Sequence, residues 1–410
     1  MGVISSSSPE SASSDHTAAP AGARLISRDF ALAILANFVN SFGQQMLTAT
    51  LPLYVLALGS NQAGVGLVSG ALFFTAMLLR PFTGYLADLW RRRPLMIIGT
   101  LFYSLSGVVY LLAGSLPGLV LGRVLNGFGL SSYTTASSAY VADLAPARRR
   151  AEAIGLFSIV TSIGSIVAPA FGFWVMTSFG FSWLFSGTAS LALAACIASL
   201  FMRERHEHLA VGREPWSART GIVALDALPM AGTALCFGMG FGPVGAFLAI
   251  FAQARGIANP GILFTVQALA VILSQLVAGR LADRRGRAFV MVPGTVILSL
   301  GLGMLLFAHG LTEFLVAAAL YGFGQGSAQP ASIALLFDRV RPEQRGLAMS
   351  TYYLGFDLGI SLGSIGLGQV AQIFGLEAVW PIAAGCTLLG LFGLLAERNR
   401  AGIVRTTADR

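Results

Sequence analysis

Twelve runs of about 20 apolar residues, each the length a helix needs to cross a bilayer core, recur along this chain from Phe30 onward. They fall at 30–53, 62–84, 95–114, 118–141, 152–176, 180–202, 222–252, 260–281, 288–309, 312–337, 346–372 and 375–396. The runs are continuously apolar and do not alternate, so helices rather than a β-barrel are expected. Charge content agrees: 11% of the 410 residues are charged and the mean hydropathy is +0.74, against roughly 25% charged in a soluble domain. Most of the surface must therefore face lipid.

The twelve runs are one unit written twice. GRLADRRGR (Gly279–Arg287) has an echo in GYLADLWRRR (Gly84–Arg93), 195 positions earlier. The same offset carries Asp88 onto Asp283, Arg92 onto Arg287, Asp143 onto Asp338 and Arg150 onto Arg345. It also carries the Gly-Phe-Gly of Gly127–Gly129 onto that of Gly322–Gly324. A repeat of this length predicts two pseudo-symmetric six-helix bundles.

Net charge is +8, yet nucleic acid is an unsuitable partner. Lysine is absent, and 22 of the 26 arginines sit in the two tails and in alternate short loops. That is the positive-inside pattern of a multispanning protein, whereas a nucleic-acid face would gather arginines with interleaved aromatics. The pattern puts both termini in the cytoplasm. The opposite loops carry a single arginine, Arg255. Residues 1–24 read as a disordered tail rich in Ser, Ala and Pro without a signal-peptide pattern. The basic stretch 203–221 reads as a linker between a bundle at 25–202 and another at 222–396, with a tail at 397–410. Cys196, Cys236 and Cys386 are scattered singly and read as core residues. His206 and His208 read as part of a solvated loop. No metal or cofactor site is expected.

Two six-helix halves with G-x-L-A-D and arginines after spans 2 and 8 resemble the major facilitator superfamily. The copy at Gly279–Arg287 matches that motif fully; in the first copy Leu89 replaces the usual basic residue and Arg91 the usual glycine. Glycine permits close helix contact, and an aspartate at the membrane edge can accept from a neighbouring helix N-terminus. Arg92 can then reach Asp143, and Arg287 can reach Asp338. The expectation is a cytoplasmic gate built from Gly84, Asp88, Arg92, Asp143, Gly279, Asp283, Arg287 and Asp338; the plainer reading is a charge cluster that only sets topology. Span 5 carries Gly155, Gly164, Ala168, Pro169 and Gly172, which resembles the antiporter motif of the superfamily's drug exporters. Ala168 and Phe173 depart from it.

Arg123, about five residues inside span 4, resembles the superfamily's arginine motif of that helix, associated with proton coupling. Its helical face continues through Asn126, Tyr133, Ser137 and Tyr140, and span 1 offers Asn37, Asn40, Gln44 and Thr48 at similar spacing. Burying such groups against lipid costs several kcal/mol each. They are therefore expected either to line a shared cavity, with Gln267, Gln325 and Gln329 of the second half, or to join helices by hydrogen bonds. Asp357 is an acid roughly 16 Å into span 11, and an intramembrane carboxyl is a functional hypothesis by default. Asp226 is a second carboxyl to consider, and Arg80 reads as another cytoplasmic-end charge.

The resulting expectation is an all-α integral membrane protein of a bacterial inner membrane. It would be a monomeric secondary transporter, coupled to protons, exporting a small organic molecule. Import, facilitation, or export of a metallophore or other endogenous metabolite are the alternatives. A membrane enzyme would need a ligand cluster at membrane depth, a receptor would need an output domain, and ATP drive would need a P-loop; the sequence offers none of these.

Overall fold

The computed structural model describes residues 27–89, 92–145, 149–203, 223–341 and 344–408. The expected N-terminal tail lies outside them, as does nearly all of the expected linker. Twelve long helices and no strand occur among the described residues. In the first half these are α1 (Arg28–Ala57), α2 (Gln62–Leu89), α3 (Arg92–Leu112), α4 (Leu116–Leu144), α5 (Arg150–Phe179) and α6 (Phe181–Leu200). In the second half they are α7 (Leu228–Ala254), α8 (Gly261–Arg285), α9 (Arg287–Met304), α10 (Leu311–Arg339), α11 (Arg345–Phe374) and α12 (Val379–Ala408). The last helix runs beyond 396, where the sequence reading ended it: the segment Glu397–Thr407 has no proline to stop it.

Nine of these helices hold a window apolar and charge-poor enough to span a membrane. The other three are α1, α4 and α10, which carry the polar residues picked out above. Outward faces are apolar: Leu112, Trp183 and Phe392 are all well exposed, as suits contact with lipid.

The repeat survives at the level of contacts. The 195-residue offset carries the bounds of α4 onto those of α10 and the bounds of α5 onto those of α11. Within each half the same helices pair: α1 with α5 and α6, α2 with α4, α3 with α4 and α6, and likewise α7 with α11 and α12, α8 with α10, α9 with α10 and α12. The Gly-Phe-Gly sequences show why. A Cβ on Gly127 would press on Leu72 and Thr75 of α2, and one on Gly322 would press on Gln267 and Ala270 of α8, each at the same offset. Backbones approach that closely only where a side chain is missing. The turns after α5 and α11 repeat as well, with Gly180 at φ 89° and Gly375 at φ 88°, a region that favours glycine.

The bundles meet along α2 with α11, α5 with α8, and α1 with α7. These contacts lie in the half nearest the arginine-poor loops. Gln62 N–H donates to Gln372 Oε1 at 3.2 Å, Gly66 lies on Ser364 and Gly368, and Gly70 lies on Ser361 and Ile365. On the other seam Gly261 lies on Pro169 and Ala170, and Thr265 Oγ1 donates to the Ile166 carbonyl at 2.5 Å. Toward the arginine-rich end Gly84, Gly155, Gly279 and Gly346 have nothing within 4 Å of where a Cβ would stand.

Candidate functional site

Asp357 projects from α11 and is 1% exposed. Its carboxylate pairs with Arg80 of α2, so the ion pair crosses from one bundle to the other. Arg80 also lies over the Tyr353 ring, 5.4 Å from its centroid. This revises the sequence reading of Arg80 as an end charge: it lies nine residues, about 14 Å, inside the end of α2, too deep to reach the loop. An anionic partner offsets the cost of holding an arginine at that depth, and Asp357 supplies it. The pair stands where the seam ends, beyond Gly66 and Gly70 and just before Gly84, whose surroundings are open.

Next to it lies a cavity of about 460 Å³ between α8, α10 and α11, lined by Gln275, Gln329, Pro330, Ile333, Ala334, Phe337 and Tyr353. Tyr353 belongs both to this cavity and to the surroundings of Arg80. The lining offers two amides, a phenol and aromatic faces, which suits a small molecule bound by hydrogen bonds and stacking. Of the residues singled out in the sequence, Gln329 lies here. Gln275 and Tyr353 were missed, though the repeat pointed to Gln275, which is Arg80 displaced by 195. Gln325 instead borders, with Gln329, a neighbouring space of about 10 Å³, room for one water at most.

Three of the remaining polar candidates, Asn37, Asn126 and Gln267, join helices. Asn37 is buried and donates to Thr161 Oγ1 of α5 at 2.8 Å. Asn126 donates to Ser106 Oγ of α3 at 3.1 Å. Tyr133 is buried against Tyr103 and Gly99 of α3. Gln267 donates to Gln325 Oε1 at 3.3 Å, from α8 to α10. Asn37, Asn126, Tyr133 and Gln267 thus do not line this cavity; Asn37 and Asn126 bond within their own bundle, while Tyr133 Oη and Gln267 Oε1 are buried without a partner among the described residues. Asn40 is buried in α1, and Gln44 is half-buried there. One contact of this kind was missed, from Gln45 Nε2 to Ser165 Oγ at 2.7 Å.

Arg123 is 6% exposed and lies against Tyr110 of α3. Its Nε is buried without an acceptor, and it belongs to no ion pair among the described residues. It sits inside the first bundle, apart from the cavity lining. Asp226 is exposed, in a short turn before α7. It lies at the very start of the candidate span Leu225–Ala254, away from the Arg80 and Asp357 pair.

Arg92 Nε approaches Asp143 Oδ2 at 3.4 Å, and Arg287 approaches Asp338 Oδ2 at 2.8 Å. These pairs join α3 to α4 and α9 to α10. Each lies within one bundle, so they do not join helices that part when the arginine-rich end opens, which corrects that part of the gate expectation. The side chains of Asp88 and Asp283 lie outside the described residues. In the antiporter-like stretch, Gly164 and Gly172 pack on α1 and the Pro169 carbonyl faces Gly261 of α8; Gly155 touches nothing. Arg255, the lone arginine of the arginine-poor loops, pairs with Glu377 at 2.5 Å and donates to the Ala308 carbonyl at 3.2 Å.

Comparison with known proteins adds the family. The profile described as Major Facilitator Superfamily matches residues 33–260 and 230–409. The chain is 23% identical to the staphylopine export protein of Staphylococcus aureus, over 82% of this chain and 88% of that one. It is 25% identical to the multidrug resistance protein MdtG of Citrobacter koseri, over 88% and 92%. Among solved structures, the nucleoside transporter NupG aligns with a TM-score of 0.74 at 17% identity, over 90% of this chain and 99% of that one.

Proposed function

The chain belongs to the major facilitator superfamily, and we propose that it exports a small organic molecule in exchange for protons. The observation that carries this reading is the ion pair between Arg80 and Asp357, which spans the two bundles at the edge of the cavity. A carboxylate at that position responds both to a proton and to the separation of the bundles, and antiport needs one group that responds to both. Export is supported by two relatives, one named for staphylopine export and another for multidrug resistance.

Positive-inside bias puts the arginine-rich end, both termini and the 203–221 stretch in the cytoplasm of a bacterial cell. The packed arginine-poor half then closes the outer side, and the cavity faces inward, as loading of an exported molecule requires. Rocking of the bundles would open the outer half. The protein works as a monomer, since each chain holds both halves of the pathway.

Proteoliposomes with an imposed pH gradient test this, screened with amines, nucleosides and chelating amino-acid conjugates. Antiport accumulates substrate in acid-inside vesicles beyond protein-free controls. Accumulation in alkaline-inside vesicles would mean symport and would contradict the reading.

A further inference from the structure

Two of the seams between the bundles, α2 with α11 and α5 with α8, share one register until they reach Arg80. Displaced by 195, Gly66 on Ser364 becomes Gly261 on Pro169, and Gly70 on Ser361 becomes Thr265 on Ile166. The next step should carry Arg80 and Asp357 onto Gln275 and Ser162. There the correspondence of chemistry ends. Gln275 is exposed in the cavity wall, and Ser162 donates to its own helix at Ser158. One seam ends in a buried ion pair and the other in neutral side chains.

We propose that Arg80 governs when Asp357 takes up a proton: it holds the carboxylate ionised while α2 and α11 meet, and releases it to a proton as that seam parts. The inference rests on the reading of Asp357 as the coupling carboxyl. Among the described residues, little else can do this. Helix α7, packed on α11, has no Asp, Glu, Arg, Lys or His. Tyr353 of α11 and Tyr103 of α3 are titratable groups in the field of Arg80, and Gln275 and Gln329 across the cavity are neutral. A buried carboxylate deprived of the cation it pairs with favours the protonated form. Arg80 keeps its own proton throughout; the proton that binds an Asp357 oxygen comes from water entering the parted seam. In the inward-open arrangement the pair is made and the proton has left, the state in which an antiporter loads substrate.

Infrared difference spectra of the full-length protein in lipid, each recorded against Asp357→Asn, report whether Asp357 carries a proton. Near neutral pH the native protein should show no protonated-carboxyl band. Arg80→Gln should show one, Arg80→Lys should not, and Arg80→Gln with Asp357→Asn should lose it. Should Arg80→Gln fail to fold while that double variant folds, the dependence of the carboxylate on Arg80 is supported equally. The proposal is overturned by an ionised Asp357 in folded Arg80→Gln, by a protonated Asp357 in Arg80→Lys, or by a double variant that folds no better than an unfolded Arg80→Gln. A failure of this kind leaves gradient-driven accumulation by the native protein intact, and so is distinct from failure of the antiport reading.

Discussion

Two of the seams between the bundles are related by the repeat, and they differ in what they ask of the chain. Along α2 and α11 both register positions are glycine, the backbones touch, and the seam ends in the Arg80 and Asp357 pair. Along α5 and α8 a glycine is followed by Thr265, and the seam is fastened by one hydrogen bond to the Ile166 carbonyl. Pseudo-symmetry makes rocking between two arrangements natural, while the unpaired chemistry of one seam gives the motion something to respond to. A fully symmetric pair of seams would have no site at which a proton changes the balance between them.

The comparison is broken most severely by Gly66→Leu. The side chain would meet the Ser364 carbonyl and the Gly368 Cα, which are backbone and cannot rotate away. Overpacking of about 1–3 kcal/mol corresponds to about a 5- to 150-fold shift away from the closed arginine-poor half. Spin-label distances between positions 62 and 372 should lengthen. An unchanged distribution would mean that the α2 and α11 contact is not part of the closure.

The pair can be transplanted to the other seam. Ser162→Asp with Gln275→Arg gives α5 and α8 what α2 and α11 already have. With Gln275 exposed and Ser162 half-buried, an ion pair there contributes about 1 kcal/mol, so the closed arginine-poor half should gain roughly fivefold. Labels across α5 and α8 would read it. Charge at 162 alone should not reproduce the effect.

Smaller still is Thr265→Val, which removes one hydrogen bond worth about 1 kcal/mol and should loosen the α5 and α8 seam without altering its neighbour. Last comes Arg255→Ala. Its pair with Glu377 lies within the second bundle and is partly solvated, so the thermal stability should fall by no more than about 1 kcal/mol and neither seam should change its distance distribution.

The twelve helices and the duplication were legible in the sequence because run length and offset are one-dimensional signals. The close contacts at Gly127 and Gly322 follow from that offset. What the sequence hid was partnership. Asn37 and Asn126 carry the same helical spacing whether they line a cavity or bind a neighbour, and only the packing of α5 on α1 and of α3 on α4 decides. Arg80 was misread because arginines adjoin so many span ends; its depth relative to the end of α2 was the available signal. Its partner lies 277 residues away in sequence, beyond the reach of any local pattern.

Transport by Asp357→Asn bears hardest on the proposal that the charge of Asp357 couples the proton to the bundle motion. In acid-inside proteoliposomes, using a substrate that the native protein accumulates, gradient-driven accumulation should collapse at least tenfold relative to exchange between substrate pools in the same vesicles. Full accumulation by Asp357→Asn at the native ratio would contradict the account.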